Sequence, residues 1–252
     1  MKTHQKHSPG NAAVALLCAV CVCVFAARFC RGIFRLSMRN LLTAAFALLL
    51  CALPWIARRC RVRLPVGAGM AYYLFLFGAM YLGEEKDFYT KIPWWDLWLH
   101  LLSGFCLAAV GLGIWLAAQK SAPPLALTLA WMMCFSLALS CIWEFYEFSC
   151  DKLFGTDMQR DTLLQTISSR LIADGKRTRV DSFLLNGTSQ SGYLDIGLQD
   201  TMTDLMVSAA GAVLFCVLYP INHAGKDSVR QLFVPTVAAP QKKRKKKKNE
   251  LF

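Results

Sequence analysis

No G-x-S-x-G elbow, no H-E-x-x-H pair and no glycine-rich phosphate loop occurs in the sequence, so nothing marks an elbow-type serine hydrolase, an H-E-x-x-H zinc protease or a P-loop nucleotidase. Charge is sparse too. Only 17% of residues are charged and 56% are hydrophobic, with a mean hydropathy of +0.39. A soluble chain of 252 residues could not hide that much apolar surface in one core, so lipid must cover much of it. The 11 cysteines imply no disulfide framework, because Cys18, Cys21, Cys23, Cys51, Cys106, Cys134, Cys141 and Cys216 lie in apolar segments, where a thiol is a small hydrophobe. Cys18 and Cys21 form a C-x-x-C, but no nearby histidine, second pair or strand-helix context makes it a zinc or redox site. Acids are outnumbered by bases, 16 to 28, for a net charge of +12. No aromatic-interleaved basic groove accompanies that excess, so nucleic acid is not an expected partner. The bases instead collect at segment ends and in the run Lys242 to Lys248, where the expected partners are anionic lipid headgroups.

What the sequence does contain is long apolar runs. Six windows cover a hydrocarbon core of about 30 Å: Asn11 to Ala27, Asn40 to Ala57, Leu64 to Leu82, Leu97 to Gln119, Leu125 to Phe148 and Thr201 to Pro220. The first, preceded by Lys2 and Lys6, also fits a signal sequence. The expected fold is therefore an all-α polytopic transmembrane bundle of about six spans. Residues 1–63 form an N-terminal membrane hairpin with a basic flank, 64–222 a membrane core, and 223–252 a basic tail. With alternating spans, Arg58, Arg59, Arg61, Arg63, Lys120 and the C-terminal lysines share one side, which the positive-inside rule makes the cytoplasm. Only Asp227 and Glu250 among the acids fall there. Arg28, Arg31, Arg35 and Arg39 disagree, since they fall on the extracytoplasmic side with the other acids. Between the last two spans, residues 149–200 form the longest polar stretch. Leu163, Leu164, Ile167, Leu171 and Ile172 recur there at helical spacing, predicting a short amphipathic helix on the membrane surface or over a cavity. Asn186-Gly187 predicts a turn.

The informative residues lie at three helix ends. Span four opens with Asp96 and His100, span five closes with Glu144, Glu147 and Asp151, and span six opens with Asp200 and Asp204. Separations of three and four keep each set on one helix face, and alternation brings all three ends to one side of the membrane. Glu144 lies about 10 Å deeper than Asp151 at 1.5 Å per residue. Facing lipid there would cost at least about 2.5 kcal/mol, so it must face the bundle interior, water or a cation. His100, Glu144, Glu147 and Asp204 have the donor chemistry of a divalent-cation site. Asp96, Asp151, Asp157, Gln159, Arg160 and Asp200 are expected to support that site or to cap helices. Plainer duties exist for some of them: Asp96 and Asp200 suit helix caps, and Asp151 suits a surface pair with Lys152 or Arg160. Trp94, Trp95, Trp98 and Trp143 read as an interfacial aromatic belt.

In order along the chain, Asp96-x-x-x-His100-x-x-x-Gly104, Trp143-Glu144-x-x-Glu147, Gly155-Thr156-Asp157-Met158-Gln159, Tyr193-Leu194-Asp195-Ile196-Gly197 and Asp200-Thr201-Met202-x-Asp204 resemble the YjdF-like family of uncharacterised bacterial membrane-spanning proteins, in its Gram-positive form. The resemblance runs from about Tyr81 to Ala212 and implies a multi-pass protein of the bacterial plasma membrane; it implies no reaction. A fainter similarity to VanZ-like proteins rests on an Asp-x-x-x-His helix start, a later acidic helix and an Asp before the last span. Three functions are compatible with the residues. One is an enzyme that uses a bound divalent metal ion at the extracytoplasmic face on a lipid or envelope precursor. Another is a proton- or cation-coupled carrier or sensor, against which stands the lack of a repeat between the first and last three spans. The last is a structural protein whose polar cluster welds helices together.

Overall fold

In the computed structural model, residues 9–119, 121, 123–223 and 228–237 are described. Lys2, Lys6, Lys120, Asp227, Glu250 and the Lys242–Lys248 run, which entered the expectations above, lie outside the described residues. The elements in chain order are α1 (Pro9–Phe34), α2 (Met38–Arg59), β1 (Val62–Arg63), α3 (Val66–Phe77) continued by a π-helical turn (Gly78–Gly83), α4 (Phe88–Lys91), α5 (Trp95–Ala118) and α6 (Leu125–Phe154). There follow β2 (Asp161–Leu164), β3 (Thr166–Ser168), α7 (Arg170–Ala173), β4 (Arg177–Arg179), β5 (Ser182–Leu185), β6 (Thr188–Ser191), β7 (Tyr193–Ile196), α8 (Leu198–His223), α9 (Ser228–Phe233) and β8 (Thr236–Val237). Six of these helical segments are long and apolar enough to cross a membrane. They coincide with the six windows read from the sequence and run past most of their ends. The chain is thus an all-α polytopic bundle.

Two buried clusters hold the helices together. Cys21 and Phe25 of α1, Ala47 and Cys51 of α2, and Tyr73 and Leu76 of α3 make the first. Span three therefore packs with the N-terminal hairpin. Pro54 inside α2 has no N–H to give to the Leu50 carbonyl, and the Tyr72 hydroxyl donates to that carbonyl at 2.7 Å. A membrane helix requires such a substitute donor, because lipid offers none. The second cluster joins Ala108 and Leu112 of α5, Met132 of α6, and Ala212 and Phe215 of α8. Val234, just past α9, belongs to the same cluster and is 2% exposed, so part of the 223–252 region folds back onto the bundle. β1 and β8 close that end as an antiparallel pair, Arg63 opposite Thr236.

Helices α5 and α8 make the most extensive contact in the bundle, for a compositional reason. A Cβ placed on Gly104 would collide with the Ser208 backbone, and one on Gly211 with the carbonyl of Leu101. Small residues at such crossings let membrane helices meet backbone to backbone.

Three of the four basic residues that conflict with the topology, Arg28, Arg31 and Arg39, meet carboxylates in three dimensions. Arg28, 6% exposed, donates to the Met80 carbonyl in the π turn at 2.9 Å and lies 3.7 Å from the Glu85 carboxylate. Arg31 also pairs with Glu85, and Arg39 with Glu84 at 3.6 Å. These pairs put the first loop and the 84–85 segment on the same side, as alternation requires. Removing one partner of a half-buried pair strands the other charge. Glu85→Ala is therefore expected to lower stability by about 3 kcal/mol, read as an earlier unfolding transition in detergent.

The expected amphipathic helix over 163–172 is corrected by the structure. Residues 161–164 pair with Tyr193–Ile196, 166–168 pair with 177–179, and only Arg170–Ala173 forms a helical turn. The apolar spacing fitted a helix, but β-branched Thr162, Thr166 and Ile167 together with available partner strands decide otherwise. A further hairpin, β5–β6, turns at Asn186 (φ 50°) and Gly187 (φ 81°). Two consecutive left-handed residues are what a tight hairpin needs, as the Asn-Gly pair predicted.

Candidate functional site

Because α5 and α8 are held backbone to backbone, the polar residues of their first turns face one another. His100 and Asp96 sit one turn apart on α5, and Asp204 points across from α8. Nε2 of His100 lies 3.7 Å from Oδ1 of Asp96 and 3.5 Å from Oδ2 of Asp204. One donor atom from each of the three residues lies within 4.8 Å of the others. For comparison, four ligand atoms about 2.1 Å from a tetrahedral ion sit roughly 3.4 Å apart. His100 is 8% exposed and Asp204 1%.

The other ring nitrogen of His100 is fixed by Ser208, one turn beyond Asp204. Its hydroxyl donates to the His100 carbonyl at 3.3 Å and lies 3.4 Å from Nδ1. The tautomer with Nδ1–H would let that hydroxyl accept as well as donate, leaving the lone pair of Nε2 toward the carboxylates. Such second partners orient metal-binding imidazoles. A lone pair facing two carboxylates in a dry site is repulsive unless a proton or a cation lies between them. Nothing in the sequence reading singled out Ser208, although its spacing of four from Asp204 was a usable signal.

Helix α6 supplies the remaining acids, and they behave differently from one another. Glu147 is 8% exposed and accepts a hydrogen bond from the Trp143 indole at 2.9 Å. That tryptophan, assigned above to the aromatic belt alone, thus also positions a carboxylate. Glu144 is 4% exposed, and neither of its oxygens has a hydrogen-bond partner among the described residues; the same holds for Oδ2 of Asp204 and for the Ser140 hydroxyl. The Thr201 hydroxyl and the Gln159 side chain nonetheless lie near enough to act on Glu144 as hydrogen-bond donors, and the charges of Asp200 and Asp96 act on it as well. Neither Glu144 nor Glu147 joins the tight set of three donor atoms, whereas Asp96, expected to support or cap, does. No side chain caps the start of α5.

The remaining expected residues form the rim. Asp151 is not ion-paired within 4 Å among the described residues; it accepts from the Thr156 hydroxyl at 2.6 Å and from the backbone N–H of Met158 at 2.7 Å and of Gln159 at 2.8 Å. It therefore shapes the 155–159 segment, which Gln159 fastens to α8 by donating to the Thr201 hydroxyl at 2.5 Å. Asp200 accepts from the Arg160 N–H at 3.1 Å, while Asp195 takes the capping role at α8 by accepting from the Gln199 N–H at 2.6 Å. Arg160 sets its guanidinium 3.3 Å from Oδ2 of Asp96 and 5.2 Å from the centre of the Tyr89 ring. Burial, then the charges of Asp96 and Glu84, push the Tyr89 phenol up, so it stays neutral at physiological pH. Asp157 is exposed; desolvation and the nearby Asp161 and Asp151 raise its carboxyl above the usual range. Asp96, Arg160, Asp200 and Asp204, with Pro93 and Thr203, line a cleft of about 190 Å³. Asp157 is not part of that lining.

Comparison with known proteins places a family model over most of the chain. The family described as "Predicted membrane protein (DUF2238)" matches residues 12–225. No curated protein matches, and neither does any solved structure.

Proposed function

The chain belongs to the DUF2238 family of predicted membrane proteins, and from that premise we propose that it is a membrane enzyme holding one divalent cation between Asp96, His100 and Asp204. Its substrate class is a phosphoryl-bearing lipid or envelope precursor reached from the extracytoplasmic face of a bacterial plasma membrane. The observation that carries the proposal is the meeting of three donor atoms within 4.8 Å at a depth where oxygens of Asp204 and Glu144 lack partners. Uncompensated carboxylates there are costly, and a cation offsets them. Two carboxylates with an imidazole suit a first-row ion such as zinc or manganese better than calcium. When bound, such an ion polarises a phosphoryl oxygen or activates water.

The chain's own residues have complementary duties. Ser208 holds the His100 tautomer, Trp143 holds Glu147, and Glu144 is the base or acid nearest the dry interior. Arg160 stands over the cleft as a planar cation suited to phosphoryl oxygens. The YjdF-like resemblance supports the bacterial placement, and the collection of Arg58, Arg59, Arg61 and Arg63 at the opposite end supports the orientation.

Metal analysis of the purified protein, paired with phosphate release from a bacterial lipid extract, tests the proposal. One equivalent of zinc or manganese is expected, with release that stops on chelation and in His100→Ala. Metal-free protein, or release indifferent to both treatments, contradicts it.

One observation favours a second reading, a proton-coupled carrier. Thr128, Ser136 and Ser140 continue the buried face of α6 below Glu144, a polar file leading away from the cleft. Proteoliposome uptake driven by a pH gradient and abolished by Glu144→Gln would support it; equal uptake with and without the gradient would exclude it.

A further inference from the structure

The end of the bundle opposite the carboxylate cleft has a reversed charge pattern. Arg58, Arg59, Arg61, Arg63 and Arg230 are all exposed there. Among the described residues, none of the five lies within 4 Å of a carboxylate, in contrast to Arg28, Arg31, Arg39 and Arg160 at the other end. Every described Asp and Glu lies between Glu84 and Asp204, on the far side of the membrane by span alternation.

Two of these arginines face a common groove. Arg63, on β1, and Arg230, on α9, line a depression of about 540 Å³ with Gln231 beside them and Leu64, Pro65 and Val234 as its apolar wall. The groove is built by folded chain. Val62 and Arg63 pair with Val237 and Thr236, Phe233 packs edge-on against Phe105 at 5.1 Å, and Val234 is buried in the α5–α8 core. The third span begins at Val66, next to Pro65, so the groove sits where hydrocarbon gives way to headgroups.

We infer that this groove between β1 and α9 binds a phosphate-bearing anion at the membrane surface. Two guanidiniums and a side-chain amide supply forked donors for phosphoryl oxygens, no described carboxylate competes, and the apolar wall accepts the glycerol or acyl edge of a lipid. Free phosphate and an anionic lipid headgroup share this chemistry. The site is independent of the proposed cation centre.

The full-length protein in nanodiscs of phosphatidylcholine with a minority of phosphatidylglycerol provides the test, read by native mass spectrometry of the lipid retained on release. The parent is expected to retain phosphatidylglycerol preferentially, and Arg63→Gln with Arg230→Gln to lose that preference roughly tenfold, the equivalent of one charge-assisted hydrogen bond. Arg58→Gln with Arg59→Gln should lose little, because those arginines do not line the groove. Inorganic phosphate that displaces the lipid and raises the unfolding temperature of the parent alone identifies free phosphate as a ligand; lipid retention indifferent to phosphate identifies the headgroup. Equal lipid preference in the parent and the groove variant, or equal loss in the Arg58/Arg59 control, overturns the inference. Arg230→Gln alone, on an exposed position, gives the same reading if the double variant does not fold.

Discussion

Asp204→Asn is expected to weaken divalent-cation binding by more than roughly 100-fold, since changes to outer partners of metal ligands alone cost 10- to 100-fold. The same substitution should leave metal-free protein equally stable or more stable by about 1–2 kcal/mol. The two effects have one cause. Asp204 is 1% exposed, and its Oδ2 has no hydrogen-bond partner among the described residues. A carboxylate so placed, with only Nε2 of His100 at 3.5 Å beside that oxygen, is costly in the empty bundle and is compensated when a cation reaches it. Asparagine has nearly the same shape without the charge. A polar cluster that merely welded helices would respond in the opposite sense, losing stability on substitution and showing no metal effect. Metal titration followed by calorimetry, with unfolding in detergent measured with and without the ion, reads both.

Gly211→Val is expected to be among the most damaging single changes in the bundle, alongside Gly104→Val at the same crossing. A Cβ at 211 would fall on the Leu101 carbonyl and lie 3.0 Å from the Phe105 nitrogen, and neither backbone atom can turn aside. The helices must part, at a cost of more than about 3 kcal/mol from overpacking and lost contact. Because His100 and Asp204 ride on these two helices, whatever folds should also fail to hold the ion. Gly111→Ala makes the useful contrast, since its Cβ would meet the Phe135 ring at 2.9 Å, and a side chain can shift. Folded yield, unfolding temperature and metal content of the two variants should therefore separate widely; similar behaviour would mean that the α5–α8 contact does not set the site.

Much of the architecture was legible in the sequence, because a membrane span announces itself by length and apolarity. Span alternation also put Asp96, His100, Glu144, Glu147, Asp151, Asp200 and Asp204 on one side. Which of them converge was not legible. That depends on Gly104 meeting Ser208 and Gly211 meeting Leu101, contacts between helices about 100 residues apart. Asp96 consequently joins the donor set while Glu147 is taken up by Trp143. Helical spacing misread residues 163–172 because a few apolar positions fit either period, and the strand Tyr193–Ile196 that decides the matter comes later in the chain. Three of the first-loop arginines have the same kind of explanation: Arg28, Arg31 and Arg39 pair with Glu84 and Glu85, and only the folded chain brings these groups together.

The most direct test of the cation centre is pulsed electron paramagnetic resonance of the purified protein loaded with manganese. One tightly held ion is expected, with nitrogen coupling from the imidazole of His100 that disappears in His100→Ala while the protein stays folded. Protein that holds no manganese, or a nitrogen coupling that survives His100→Ala, would contradict a cation seated between Asp96, His100 and Asp204.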